Sequence, residues 1–282
     1  MSHDTALATS LLVPTLESSN LSGVKETGRT KIYRADVFEF FSTLENESVD
    51  LIVTDPAYSG MNQHLQLGRG RIVGKYSDKS SEGKWFEEFH DTLENYGNFL
   101  SECHRVLKKD RHIYIMFDSY SLLSLAPLVR EYFDVKNLIT WDKVNIGMGH
   151  YFRRRHEFIV FASKGKRALN SRNIPDVWRI KRVMPLKYPT QKPVEVFDAM
   201  LRASAEPDFL VCDPFLGGGA SAIAAQKFGC RYIGCDISQK AVEIAKNRVA
   251  CFEDTGLDCL QEKSNLVENE NYVWLTGDDK HN

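Results

Sequence analysis

Short apolar runs alternate along the chain with stretches in which apolar residues recur every three or four positions. The short runs predict β-strands, and the longer period predicts amphipathic helices. The predicted strands are 31–33, 51–54, 112–117, 135–141, 156–162, 209–212 and 231–235. The predicted helices are 38–44, 85–107, 122–133 with a break or start near Pro127, one from Pro193 to 201, one ending near 228, and 239–250. This alternation predicts an α/β fold with a doubly wound sheet.

The run 51–54 leads directly into Asp55-Pro56-Ala57-Tyr58. Proline cannot donate to a strand ladder, so Asp55 and Tyr58 are expected at the carboxyl end of the strand, where open α/β sheets bind ligands. A carboxylate acceptor, a rigid turn that presents the Pro56 carbonyl, and an aromatic face suit a planar amine such as a nucleobase. The competing interpretation is an ordinary Asp-Pro turn that ends a strand.

A second strand, 209–212, is followed by Asp213 and a glycine-rich turn in which Gly217, Gly219 and Ala222 have the spacing of a nucleotide-binding turn. The next strand ends at Asp236, nineteen residues after Gly217. That distance is close to the one typical of a carboxylate that holds ribose hydroxyls. Together they predict a site for a nucleoside-type cofactor.

Charge is strongly segregated, although the net charge is only −2. Residues 143–192 contain thirteen Lys or Arg and two acidic residues, so this segment carries +11 and the rest of the chain −13. Basic residues interleaved with Trp178 predict a face that tracks phosphates and stacks on bases, and the alternative is a solvated basic surface. A glycine-rich basic connection, 59–84, predicts a mobile loop over a polyanionic substrate, unless it is disordered without function. The candidate nucleic-acid contacts are Arg69, Arg71, Arg153, Arg154, Arg155, Arg179, Lys181 and Arg182.

Composition is that of an ordinary globular protein, with 43% hydrophobic and 26% charged residues in 282. No run approaches the roughly 18 apolar residues of a membrane span, and the first 28 residues lack the layout of a signal peptide, so we expect a cytoplasmic protein with no membrane partner. The six cysteines lack the paired spacing of a zinc site, so we expect reduced thiols and no metal.

Both aspartate-proline motifs, at 55–58 and 213–219, resemble those of S-adenosylmethionine-dependent DNA methyltransferases that act on exocyclic amines. Their order, with the catalytic motif first and the basic segment between, resembles the circularly permuted β group of that family. Thr190-Gln191-Lys192-Pro193 looks like the family's entry into the cofactor site, and 155–159 looks like its late hairpin strand. The resemblance runs from about Lys31 to about Cys251. Ala57 departs from the family's second proline and loosens the turn.

This resemblance implies a Rossmann-like sheet, S-adenosyl-L-methionine as the cofactor and roles for individual residues. Asp55 and the Pro56 carbonyl would accept the two hydrogens of the target amine, and Tyr58 would stack on a base flipped out of the duplex. Asp236 would hold the ribose, with Asp36 near the adenine of the cofactor and Lys192 near its carboxylate. The implied cofactor-binding set is Asp36, Lys192, Asp213, Phe215, Gly217, Gly218, Gly219, Asp236 and Ile237.

The implied substrate is adenine in double-stranded DNA, because β-group members with Asp at the catalytic position act on adenine and those with Ser on cytosine. The alternatives are cytosine-N4 methylation, a nicotinamide-dependent oxidoreductase, and a nucleic-acid-binding module without turnover. A homodimer and a cognate restriction endonuclease are candidate partners. The expected domains are an N-terminal arm at 1–29, a methyltransferase domain at 30–253 with its DNA-contacting region at 143–189, and a tail at 254–282.

Overall fold

The computed structural model describes residues 28–58, 89, 91–147, 151–184, 187–188 and 190–267. The predicted loop at 59–84, with Arg69 and Arg71, lies outside these residues, as do nearly all of the predicted arm and the end of the predicted tail. The strands are β1 (Thr30–Arg34), β2 (Val49–Thr54), β3 (Leu107–Phe117), β4 (Asp134–Asp142), β5 (His156–Lys164), β6 (Val177–Arg179), β7 (Leu210–Asp213) and β8 (Arg231–Asp236). The helices are α1 (Val37–Ser42), α2 (Leu93–Val106), α3 (Ser119–Tyr132), α4 (Val194–Ser204), α5 (Ala220–Lys227) and α6 (Gln239–Thr255).

The eight strands form one sheet in the order β1-β8-β7-β2-β3-β5-β4-β6. All strands run parallel except β5, which is antiparallel to both of its neighbours. Apolar residues of α4, α5 and α6 pack on one face, and those of α1, α2 and α3 pack on the other. The predicted doubly wound α/β fold is therefore confirmed, and β4 and β5 form an antiparallel hairpin.

The fully buried strand β2 lies at the centre of the sheet, between β7 and β3. From β7 the chain passes through α5 to β8 on one side, and from β2 it passes through α2 to β3 on the other. The seam between β7 and β2 is thus a switch point, and open α/β sheets bind ligands at such a point, beyond the carboxyl ends of the strands. Asp50 joins the seam, because its Oδ2 accepts a hydrogen bond from the Leu210 N–H at 3.0 Å.

Two predicted helices differ from the observed ones at their starts. The helix predicted at 85–107 begins at Leu93, because the Thr92 side chain accepts the Asn95 N–H as an N-cap, and Phe89 instead bridges to Tyr58. The helix predicted to break or start near Pro127 begins instead at Ser119, where Asp118 is the N-cap, and it continues through Pro127. Leu123, whose carbonyl loses its partner to Pro127, is 81% exposed, so water can satisfy that carbonyl.

The basic segment contains a strand that its lack of periodicity concealed. β6 pairs in parallel with β4 at the edge of the sheet and brings Trp178 into register with Trp141. Trp178 is 1% exposed, and its indole N–H donates to the Pro175 carbonyl at 2.9 Å. The expectation that Trp178 stacks on bases is therefore wrong, because core packing uses its ring.

No helix within the described ranges is long and apolar enough to cross a membrane. The same residues contain no cluster of three or more His, Cys, Asp or Glu that could hold a metal ion.

Candidate active site

Three aspartates lie together at the carboxyl edge of the sheet. Asp55 follows β2, Asp213 ends β7 and Asp236 ends β8, and these three strands are neighbours. The register places Ile52 beside Cys212 and Asp213 beside Gly234. The switch point is therefore flanked by residues that were predicted to bind the target base and the cofactor.

Asp55 is the first member of a chain of ion pairs. Its Oδ2 pairs with Lys192 Nζ, which lies 3.7 Å from Glu157 Oε2, and Glu157 Oε1 in turn accepts from Lys143 Nζ at 2.9 Å. The Asp55 and Lys192 side chains are only 27% and 15% exposed. Ammonium groups and carboxylates therefore alternate in the order Lys143, Glu157, Lys192 and Asp55.

Opposing effects set the charge of these groups. Burial raises the pKa of Asp55, which Lys192 opposes and the Glu157 charge reinforces. Burial would lower the pKa of Lys192, but the charges of Asp55 and Glu157 raise it well above its usual range. For Glu157, burial is outweighed by Lys192 and Lys143, so its pKa is lowered. Lys192 and Glu157 are thus charged at neutral pH, and of the two carboxyl groups only that of Asp55 has a raised pKa.

Lys192 is presented by a short, constrained segment. Thr190 has φ 57°, in the left-handed region that β-branched residues avoid, and Pro193 is the N-cap of α4. The structure therefore brings Lys192 to Asp55, whereas the resemblance implied a place beside the cofactor carboxylate. That cofactor role stays a prediction.

The turn after β2 orders Pro56 and Tyr58. The Pro56 carbonyl accepts the Tyr58 N–H at 3.0 Å, which leaves one of its two lone pairs for a ligand. Tyr58 is 8% exposed, and its ring stacks on Phe117 at 5.2 Å between centroids with 12° between planes. One face of the ring is thus occupied by the core. The predicted roles of Pro56 as acceptor and Tyr58 as a base-stacking residue stay predictions.

The glycine turn joins the ends of β7 and β8. Gly217 N–H donates to Asp236 Oδ2 at 3.0 Å, and Ser238 N–H donates to Asp236 Oδ1 at 2.9 Å. A carboxylate has about four acceptor positions, so Asp236 retains capacity for hydroxyl groups. Gly219 has φ 75°, and a Cβ there would lie 2.9 Å from the Ala245 Cβ, so glycine is required for α5 and α6 to pack.

Asp213 stabilises this turn through two hydrogen bonds that it accepts. It is 1% exposed, and it accepts the Phe215 N–H at 3.0 Å and the Ser221 hydroxyl at 2.6 Å. Burial raises the pKa of Asp213 to about 7, against the effect of these hydrogen bonds. Asp213 therefore shapes the turn through hydrogen bonds, and its predicted contact with the cofactor stays a prediction.

The other predicted cofactor residues flank the same edge. Asp36 is the N-cap of α1, where its Oδ1 accepts the Phe38 N–H at 2.8 Å. Ile237 follows Asp236 and is 39% exposed. The Phe215 ring packs edge-on against Phe89 at 5.3 Å between centroids. Gly218 lies beside the ring of Tyr188. A Cβ added at Gly218 would lie 3.1 Å from the nearest atom of that ring.

The described basic residues differ in how their charges are used. Arg155 makes a two-pronged ion pair with Asp142 at 2.6 and 2.5 Å, and Arg179 lies 3.5 Å from the same carboxylate. Arg153 and Lys181 are exposed, whereas Arg154 and Arg182 are half-buried. Asp142 thus offsets charge that the sequence assigned to phosphates, and the predicted DNA contacts stay predictions.

Glu157 and Lys143 were not among the predicted site residues. Glu157 is one of only two acidic residues in the strongly basic segment, and it stands at the start of an apolar strand. That isolation was the available signal. Pairing with Lys192, which lies thirty-five positions further on, depends on the sheet and could not be derived from spacing.

Comparisons with known proteins agree with this geometry. The sequence profile of the N6/N4 methyltransferase family, described as DNA methylase, matches residues 49–247. The chain is 28% identical over 246 residues to the Type II methyltransferase M2.DpnII of Streptococcus pneumoniae, which covers 79% of this chain and 91% of that protein. It is 28% identical over 251 residues to the Type II methyltransferase M.HinfI of Haemophilus influenzae. This match covers 77% of this chain and 67% of that protein.

Solved structures share the fold. The M1.HpyAVI–SAM complex superposes with a TM-score of 0.56 at 21% identity, over 78% of this chain and 99% of that one. The PvuII DNA methyltransferase, described as cytosine-N4-specific, superposes with a TM-score of 0.62 at 15% identity. This superposition covers 89% of this chain and 91% of that one. The family match decides against a nicotinamide-dependent oxidoreductase. With its catalytic motif before its cofactor motif, as in the permuted β group, the chain belongs to the N6/N4 DNA methylase family.

Proposed function

We propose that the protein transfers a methyl group from S-adenosyl-L-methionine to the exocyclic N6 amine of adenine in double-stranded DNA. The observation that carries the proposal is Asp55 at the switch point, adjacent to the glycine turn and paired with Lys192 through one oxygen only. Within the described part of the chain, Asp55 Oδ1 accepts no hydrogen bond. It therefore offers an acceptor to an amine while Lys192 holds the carboxylate in place.

The residues at the cofactor end suit a cationic ligand. Asp36 and Asp236 follow and end strands at the carboxyl edge, and a sulfonium with an ammonium group is favoured by such acidic surroundings. When bound, S-adenosylmethionine supplies an electrophilic methyl group. Asp236 retains acceptor positions for ribose hydroxyls, and the Gly217–Gly219 turn would surround the methionine part.

The catalytic end must overcome the poor nucleophilicity of the amine, whose lone pair is delocalised into the ring. Hydrogen bonds to Asp55 Oδ1 and to the free lone pair of the Pro56 carbonyl would hold both amine hydrogens and favour a pyramidal nitrogen. Positive charge that develops on the nitrogen during attack is stabilised by the Asp55 carboxylate. The site would then contribute further by positioning the two reactants.

Adenine is preferred over cytosine because an aspartate occupies the catalytic position and the family resemblance associates it with adenine. M2.DpnII and M.HinfI are named as Type II methyltransferases, which supports a DNA substrate. Likeness to the cytosine-N4-specific PvuII enzyme rests on the fold at 15% identity and does not favour cytosine.

The test is mass spectrometry of nucleosides after incubation of unmethylated duplex DNA with the protein and isotope-labelled cofactor. We expect label in N6-methyladenine, and label only in N4-methylcytosine would overturn the assignment. Asp55→Ala should abolish transfer and retain binding of S-adenosylhomocysteine in a thermal-shift assay. Absence of transfer by the unchanged protein, with DNA binding intact, would instead identify a binding module.

A homodimer, a cognate restriction endonuclease and a cytoplasmic location at the nucleoid belong to the same proposal. The Type II names of the relatives support the restriction-modification context. Analytical ultracentrifugation at micromolar concentration would test the dimer. We expect the mass of two chains, and the mass of one chain would contradict the dimer. A restriction partner would cleave DNA only where this protein has not methylated it.

A further inference from the structure

The connection between β4 and β5 exposes two adjacent aromatic side chains. Tyr151 is 95% exposed and Phe152 is 100% exposed. Single apolar residues on a surface are ordinary, but a pair of aromatic rings in full contact with water marks an interaction site. The sequence places this pair immediately before Arg153-Arg154-Arg155.

The pair projects from the edge of the sheet that carries the active site. Because β5 is antiparallel to β3, its first residues pair with the carboxyl end of β3, and Asp142 at the end of β4 pairs with His156. The base of the hairpin is also joined to the catalytic carboxylate, since Glu157 contacts Lys192 and Lys192 pairs with Asp55. A DNA duplex that presents a base to Asp55 thus meets this hairpin.

Hydrogen bonds join the two sides of the hairpin stem. Lys143 N–H donates to the Arg155 carbonyl at 2.8 Å, Gly147 N–H donates to the Arg154 carbonyl at 2.6 Å, and Arg153 Nε donates to the Gly147 carbonyl at 2.8 Å. The ion pair of Arg155 with Asp142 fixes the root. A stem held by these bonds limits the backbone freedom that is lost when the two residues contact a partner.

We propose that Tyr151 and Phe152 form a wedge that packs into the base stack beside the adenine rotated out of the duplex. The inference rests on the proposed function and extends it, because rotation of a base leaves a gap whose lost stacking an aromatic ring can replace. The occupant is a nucleic acid because the surrounding segment, 143–192, carries +11. An acidic or apolar protein partner is an outcome of the test.

The experiment compares native with heat-denatured unmethylated genomic DNA, for which no knowledge of the recognised sequence is needed. Tyr151→Ala with Phe152→Ala should lower kcat/KM on native DNA about tenfold, since each stacking contact contributes substantially, and should leave kcat/KM on denatured DNA within about twofold. Denatured DNA requires no unstacking of a paired base. Phe152→Trp should retain activity on both substrates.

The control is Leu123→Ala, which removes another exposed apolar side chain, on α3, and should change neither value. Unchanged activity of the double variant on native DNA would overturn the wedge and leave the pair for a protein partner. An equal loss on both substrates would also overturn it, since a general phosphate contact or local misfolding has that effect. If the unchanged protein methylates neither DNA, the proposed function itself fails.

Discussion

At the scale of single residues, Lys192 must meet two conditions. It neutralises the charge of Asp55, and it must leave one oxygen of that carboxylate available to the target amine. Its bond to Oδ2 satisfies both conditions. Only the ionised carboxylate offsets the positive charge that develops on the amine nitrogen, so the rate must fall at low pH as Asp55 becomes protonated. Burial raises the pKa of Asp55 and Lys192 lowers it, so the position of this acid limb reports the ion pair.

Lys192→Met should therefore move the acid limb of kcat/KM to higher pH and lower the rate at pH 6 about tenfold more than at pH 8.5. Lys143→Met is the matched control, because it removes a cation that contacts Glu157 and not Asp55. The pH–rate profile makes the comparison. An acid limb at the same pH in both variants would contradict the ion-pair role.

Glu157→Gln should have the opposite effect. The Glu157 charge raises the pKa of Asp55, so its removal lowers that pKa and moves the acid limb to lower pH. Lys192 would then have Asp55 as its one carboxylate partner of the two. A residue with a merely structural role would lower the rate at every pH. A limb that moves in the same direction as in Lys192→Met would show that Glu157 acts by some other route.

At the scale of elements, a C-terminal strap of residues 256–267 ties the two halves of the cofactor site together. Arg248, which is fully buried, donates to the Gly218 carbonyl at 2.8 Å and to both oxygens of Asp258 at 2.8 and 2.6 Å. Gln191 donates to the Leu260 carbonyl at 3.1 Å, next to Lys192. The strap thus holds the glycine turn and the Lys192 segment in one arrangement.

Arg248→Met should lower the free energy of unfolding by about 3–5 kcal/mol, because it leaves Asp258 and the Gly218 carbonyl buried without their partner. The affinity for S-adenosylhomocysteine should fall as well. Urea denaturation and a thermal shift with ligand measure the two effects. Asp258→Asn, which keeps the volume and one hydrogen bond, should lose less, and equal losses would refute the paired arrangement.

Elements with a clear period were predictable from the sequence, as were the positions of Asp55, Asp213 and Asp236, since each ends a predicted strand. The strand β6 and the start of α2 were not, because they depend on the register of Trp178 beside Trp141 and on the Thr92 cap. The pairing of Glu157 with Lys192 and the strap over Arg248 join residues far apart in sequence. Such contacts exist only after the sheet has fixed the neighbours.

At the scale of the whole molecule, segregated charge does not translate directly into free charge. Asp142 pairs with Arg155 and lies close to Arg179, whereas Arg153 and Lys181 are exposed. Each exposed cation that contacts a phosphate releases counterions, so it contributes about 0.9 to the slope of log K against log salt concentration. The two groups of residues should therefore differ in their effect on DNA binding.

Arg153→Ala combined with Lys181→Ala should reduce that slope by about 2 and weaken binding to all sequences alike. Arg155→Ala should leave the slope nearly unchanged, because the charge it removes is already offset by Asp142. Fluorescence anisotropy with labelled duplex at several salt concentrations provides the values. Equal slopes for the double variant and the unchanged protein would place the DNA on another face.

The hydrogen bond that closes the seam of the sheet, from Leu210 to Asp50, joins residues 160 positions apart. On a ribosome, β2 emerges long before β7 exists to cover its edge. At about 5–20 residues per second, the delay is roughly 8–30 s. During that time β2, which is fully buried in the folded protein, presents open backbone groups to other nascent chains. The permuted order thus makes newly synthesised protein vulnerable to aggregation, and chaperones that shield the β2 edge during translation should raise its soluble yield.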